Sequence, residues 1–179
     1  YAVSGGLNGL AGPLHGLANQ ECLAFVLEII ERYGGRPTDE QFIEYAWETL
    51  NSGQVIPGYG HAVLRATDPR FVSFNAFGER VCPESLQFGT VNSLYKVIPG
   101  VLKEHGKAKN PWPNVDAISG SLLYHFGLTE TSYYTVLFGV SRVLGMCAQN
   151  IIARALGAPL TRPKSVTYED LVAAVQAAA

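Results

Sequence analysis

The segment from Thr129 to Leu156 constrains this chain more than any other part of it. It is long and mostly apolar, and its apolar residues occupy more than one helical face. A helix of that kind is expected to be buried nearly all round. One charge interrupts it. Arg142 stands between Val136-Leu-Phe-Gly-Val-Ser141 and Val143-Leu-Gly-Met146. An unpaired guanidinium there is costly, so Arg142 should meet a carboxylate or face a cavity.

Helical patterns dominate the rest. Apolar spacing predicts a helix over 17–33, closed by Gly34-Gly35. Thr38-Asp39-Glu40 opens another through Leu50, with Phe42, Ile43, Ala46, Trp47 and Leu50 on one face. Asn51 to His61 is rich in Gly and reads as a loop or short hairpin. Asp68-Pro69 is a cap with Pro at the first helical position, ahead of Phe71, Phe74 and Phe77. Ser85 to His105 reads as helical, kinked or broken at Pro99-Gly100. Lys107 to Pro113 is a polar loop, Asn114 to Phe126 a helix, and Thr167 opens a last helix to Ala179. Strand patterns are few, so the fold class is all-α. The charged helices of 34–106 could form a separate lobe.

The chain has 179 residues, 47% hydrophobic and 16% charged, enough for an ordinary core. A net charge of -2 argues against nucleic-acid binding. No uninterrupted apolar run is long enough to suggest a membrane span. Cys22, Cys82 and Cys147 are odd in number and far apart, which favours buried thiols in a reducing compartment. Tyr1 to Ala11 reads like the inside of a packed helix. It and Thr129–Leu156 are expected to be covered by polypeptide outside residues 1–179, from the same subunit or a second one.

Chemistry is concentrated in three Gly/Pro frames: Gly12-Pro-Leu-His-Gly16, Pro57-Gly-Tyr-Gly-His61 and Asn110-Pro-Trp-Pro-Asn-Val-Asp116. His15 precedes a helix, where the dipole favours a neutral imidazole able to donate to an enolate oxygen. The plainer alternative is a capping or core histidine. His61 ends a Gly-rich turn whose backbone could approach a nucleotide-like ligand closely, or which is simply tight. Asp116 at a helix start is either a dipole-favoured acid or a general base. As a base it would be weak unless nearby donors acidify the substrate. Arg70, Arg142 and Arg162 suit a substrate with more than one carboxylate. His105 and His125 have no partner at metal-ligand spacing, and no metal site is read.

These motifs closely resemble the C-terminal portion of citrate synthase of the eukaryotic mitochondrial type. The likeness runs through 8–21, 51–53, 55–64, 67–70, 106–117, 133–144 and 162–165. The family fold is all-α and dimeric, with the active site between a large and a small domain. By resemblance, 1–16 and 121–179 belong to the large domain and 17–120 form the small one. The implied reaction condenses acetyl-CoA with oxaloacetate and then hydrolyses the citryl thioester.

In that reading Asp116 takes the methyl proton, His15 donates to the enol oxygen, and His61 polarises the oxaloacetate ketone. Arg70 and Arg142 hold substrate carboxylates, and Arg162 reaches the site of the other subunit. Val55, Ile56, Pro57, Gly58, Tyr59, Gly60 and Asn114 lie along CoA. Acetyl-CoA is a substrate and no resident cofactor is implied. The expected partners are a second copy of the subunit and the family's upstream half, and the expected compartment is the mitochondrial matrix. Ile118 departs from the family pattern, which has histidine there. Two alternatives stay open: a non-catalytic structural relative in a larger mitochondrial assembly, and a 2-methylcitrate synthase using propionyl-CoA.

Overall fold

A computed structural model describes residues 1–12, 15–159 and 166–177. It contains α1 (Ala2–Leu10), α2 (Ala18–Tyr33), α3 (Asp39–Asn51), α4 (Pro69–Val81), α5 (Leu86–His105), α6 (Asp116–His125), α7 (Ser132–Ala155) and α8 (Tyr168–Ala177). The described residues hold no strand, only an isolated antiparallel bridge between Tyr59 and Pro113. The all-α expectation is met.

Local signals set most helix ends. Gly34 takes φ 66° and closes α2 in a left-handed cap. Thr38 and Gln41 form a reciprocal capping box: Thr38 Oγ1 accepts from the Gln41 N–H at 3.3 Å, and Gln41 Oε1 accepts from the Thr38 N–H at 2.9 Å. Pro69 opens α4 behind the Asp68 cap.

Of the kink or break expected at Pro99-Gly100, the break does not occur: α5 runs through it to His105. Ile98, Pro99, Val101 and Leu102 are all buried. Packing at this point outweighs the missing N–H and the ring clash of an internal proline.

The core lies between α2, α3, α4, α5 and α6. Phe42, Phe71, Phe88, Ile29, Ile98 and Ile118 are among its fully buried members. Ring packing of Phe71 on Tyr95, with centroids 4.9 Å apart, seats α4 on α5. Gly78 permits the close approach, since a Cβ there would lie 2.3 Å from the Phe88 ring. The continuous buried cluster draws on residues from Phe25 to Leu122.

α7 stands apart from that core and packs on α1 and α2. Here the expectation of all-round burial fails within this chain. Tyr134 is the one buried residue of α7, while Val136, Leu137, Val140, Leu144, Ile151 and Ile152 are exposed. The reason is geometric: two neighbouring helices cover one side only. Nor does Arg142 meet a carboxylate among the described residues; its guanidinium lies over Phe138, 5.0 Å from the ring centroid. By length and mean hydropathy (1.5) α7 is long and apolar enough to cross a bilayer. Arg142 in mid-helix opposes that use.

Candidate active site

Asp116 is the first residue of α6. The N–H groups that open a helix have no partner within it, and here two outside carboxyl and carboxamide oxygens take them. Asn114 Oδ1 accepts from the Asp116 N–H at 3.0 Å, and Asp68 Oδ2 accepts from the Val115 N–H at 3.2 Å. The loop bearing His61 is fastened to the same place. The Gly60 N–H donates to the Trp112 carbonyl at 3.1 Å, and the Asn114 N–H donates to the Gly58 carbonyl at 2.8 Å. Asn114 also sends its side-chain N–H to the Gly60 carbonyl at 3.0 Å. Gly58 has φ 79°, and a Cβ on it would lie 2.7 Å from Ala117 Cα. Only glycine permits this contact between the loop and α6.

His61 is exposed, yet its ring is oriented. Nδ1 accepts from the Val63 N–H at 3.0 Å and the Leu64 N–H at 2.9 Å. A nitrogen accepting two hydrogen bonds carries no proton, so the ring proton belongs on Nε2. That leaves Nε2–H as a donor for a carbonyl oxygen.

His15 lies in the turn between α1 and α2. Its ring meets Phe138 edge-on with centroids 4.9 Å apart. One turn away on α7, Thr135 Oγ1 donates to the Gly16 carbonyl at 2.9 Å. Thr135, Phe138 and Arg142 follow i, i+3, i+7 spacing and so share one face of α7. That face fixes the His15 turn and carries Arg142 beside it.

Arg70 lies in the first turn of α4 and pairs with Asp68: Nη2 reaches Oδ2 at 2.7 Å, and Nε reaches Oδ1 at 3.1 Å. Asp68 is 1% exposed. The guanidinium holds its carboxyl below the usual range, against the effect of burial.

Electrostatics tie these parts together. Burial pushes the Asp116 carboxyl above its ordinary pKa; His15, then Arg70, then His61 pull it back, and Asp68 adds to the rise. The outcome differs from the weak, dipole-stabilised base read from the helix start, because desolvation outweighs the donors. Ile118 is fully buried in the core, so its departure from the histidine pattern falls in apolar packing.

Of the residues read as a CoA surface, Val55, Ile56 and Tyr59 line a cleft of about 270 Å³. Pro57 is half-buried beside them, and Gly58, Gly60 and Asn114 make the loop clamp instead. Leu50, Leu102, His105, Lys107 and Ala108 also line the cleft. His105, assigned no role from sequence, meets Trp47 edge-on with ring centroids 5.9 Å apart. The Lys and His flanking the Gly106 cap were the available signal. Thr135, Phe138 and the carboxylate of Asp68 were also missed as supports of the site. Arg162 lies outside the described residues.

Comparison with known proteins decides the family. The model of the citrate synthase C-terminal domain matches residues 1–164. The chain belongs to the citrate synthase family. Mitochondrial citrate synthase of Aspergillus niger is 60% identical over 168 residues, which is 94% of this chain and 35% of that protein. Mitochondrial citrate synthase 4 of Arabidopsis thaliana is 61% identical over 167 residues, 93% of this chain and 35% of that protein. The chain thus spans about a third of the length of these curated citrate synthases and matches their C-terminal portion.

Solved citrate synthases share the fold. That of Thermotoga maritima MSB8 superposes with a TM-score of 0.73 at 28% identity, covering 93% of this chain and 42% of its own. That of Thermoplasma acidophilum, in a ternary complex with carboxymethyl coenzyme A and oxaloacetate, gives 0.69 at 27% identity, over 88% of this chain and 40% of its own.

Proposed function

We propose that the protein condenses acetyl-CoA with oxaloacetate to give citrate and CoA. The observation that carries this reading is the fastening of the His61 loop, through Asn114 and Gly60, to the first turn of the helix that Asp116 begins. Asp116 takes a proton from the acetyl methyl carbon. His15 donates to the thioester oxygen as the enol forms. The enol carbon then bonds to the ketone carbon of oxaloacetate, whose oxygen receives a hydrogen bond from His61 Nε2–H. Water hydrolyses the citryl thioester and releases the CoA thiol. Donors aimed at a developing oxyanion lower the barrier most in a site that excludes water. The chemistry moves protons and no electrons, so acetyl-CoA enters as substrate and no resident cofactor is called for.

Arg70 and Arg142 hold the oxaloacetate carboxylates, and Arg162 serves the site of the second subunit of a homodimer. Val55, Ile56 and Tyr59 border the CoA adenine within their cleft, with Pro57, Gly58, Gly60 and Asn114 behind it. The division into 17–120 as small domain, and 1–16 with 121–179 as parts of the large one, fits the extent of the buried cluster. The relatives named mitochondrial support that compartment, and we place the protein in its matrix.

The test is thiol release by the complete protein. Release that needs both acetyl-CoA and oxaloacetate is expected. No release, or faster release with propionyl-CoA than with acetyl-CoA, overturns the assignment.

A further inference from the structure

Asp68 is buried as a charge where a neutral side chain would serve as a helix cap. Capping α4 needs one acceptor for the Arg70 N–H, which Oδ1 supplies at 2.9 Å. Ser or Asn cap as well and bury no charge. The second oxygen does something else. Oδ2 takes Nη2 of Arg70 at 2.7 Å and the Val115 N–H at 3.2 Å. Asp68 also sends its own N–H to the Pro113 carbonyl at 3.2 Å. One carboxylate therefore touches the arginine at the start of α4 and the residue just before Asp116.

We infer that Asp68 is a positioning residue, whose carboxylate holds the Arg70 guanidinium and the first turn of α6 in fixed relation. The inference rests on the proposed reaction, in which Arg70 binds a substrate carboxylate and Asp116 is the base. The pairing uses the Nε and Nη2 edge of Arg70 and leaves Nη1 out. The Arg70 side chain is 59% exposed. A guanidinium pinned along one edge presents the other at a set angle, which loses little rotamer freedom on binding. Freed from Asp68 it would carry more uncompensated charge but no orientation. Orientation decides here, because carboxylate recognition by arginine is bidentate and geometric.

Steady-state kinetics of the complete protein carrying Asp68→Asn test this. Asn retains the helix cap yet cannot accept at both former oxygens. KM for oxaloacetate should rise about tenfold or more, and kcat should fall by a similar factor, the usual scale for a lost charged hydrogen bond. KM for acetyl-CoA should move less than about twofold, since the backbone bond to Pro113 survives. In an Arg70→Gln background, Asp68→Asn should leave KM for oxaloacetate unchanged while still lowering kcat through Val115. Asp68→Ser, which also keeps a cap, should reproduce the pattern.

Wild-type kinetics in Asp68→Asn overturn the inference, as does a lower KM for oxaloacetate. Equal loss of affinity for both substrates together with a collapsed Tm in both variants also overturns it, since that is the mark of a purely structural residue. An inactive wild-type protein overturns the functional reading and this one together; an active wild type with a silent Asp68→Asn overturns this one alone.

Discussion

Gly60 and Asp116 are held one side chain apart. Asn114 donates to the carbonyl of the first and accepts from the N–H of the second, each at 3.0 Å. The loop that carries His61 is thereby attached to the helix that Asp116, the proposed base, begins. Replacing Asn114 with Ala leaves both backbone groups without this partner. Stability should fall by about 1–3 kcal/mol, read from urea midpoints. The proposed mechanism adds a loss of kcat of roughly tenfold or more, because small misplacements of reacting groups are expensive. Unchanged kcat would show that the two loops hold their register without Asn114.

Asp116→Asn removes the carboxylate but keeps its shape. We expect kcat to drop by about 10²–10⁴-fold, the usual range for a general base, with oxaloacetate binding retained. Stability should move the other way. Burial raises the folded pKa of Asp116, so its contribution to stability is present below the unfolded value and is lost as pH rises through the folded one. At neutral pH the Asn variant should therefore melt higher than wild type. A lower Tm would mean that the ionised carboxylate is stabilised by its neighbours after all.

The same shift fixes the acid limb of the rate profile. If the ionised form of Asp116 is the base, kcat/KM must fall as pH drops through a pKa above the ordinary carboxylate value of about 3.9. Subtracting the profile of an Asp116→Asn variant isolates the carboxylate. A limb at or below the ordinary value contradicts the burial seen here.

Gly58 and Gly60 make a paired test of the loop. Both have positive φ, 79° and 91°. Around Gly60 the nearest atom to a new Cβ is the Asn110 carbonyl oxygen at 3.6 Å, so Ala meets only backbone strain, about 1–2 kcal/mol. At Gly58 the Cβ would press on Ala117 Cα at 2.7 Å and Cys22 Sγ at 2.9 Å. Strain and overpacking together should cost about 2–5 kcal/mol. Equal losses in chemical denaturation would refute the close approach at Gly58.

What the sequence made legible was local. Thr38-Asp39-Glu40, Asp68 with Pro69, and Gly34 announce helix ends because caps act over a few residues. The core face of α3 was readable only in part: Phe42 and Ala46 are buried as expected, but Ile43 is exposed and Tyr45 and Thr49 complete the buried face. The bonds that assemble the site are not local. Asn114 reaches Gly60 across 54 positions, and Val115 reaches Asp68 across 47. No periodicity encodes such pairs, and the roles given to His15, His61 and Asp116 came from resemblance to a family. Arg142 shows the limit from the other side. Its ring partner Phe138 is four residues away on the same helix, yet composition pointed to a carboxylate. Pro99 shows that burial can override a strong local breaker.

The exposed face of α7 yields the last prediction. Val140, Leu144, Ile151 and Ile152 are 62%, 73%, 68% and 57% exposed, and Cys147 lies exposed on the same helix. Apolar surface on this scale costs roughly 25 cal/mol for each Å² left in water, and a monomer rarely keeps so large a patch bare. The homodimer and the remainder of the large domain proposed above would cover it. Cys147 then reports the cover directly, because Cys22 and Cys82 are buried within this chain and burial pushes both thiols up. In a polypeptide of residues 1–179 alone, one thiol should react quickly with a maleimide under native conditions. In the complete protein that reaction should slow by at least about tenfold, and it should recover at the denaturant concentration where the assembly dissociates. Equally fast labelling of Cys147 in both would show that this part of α7 stays open to water, and that the assembly proposed here does not use it.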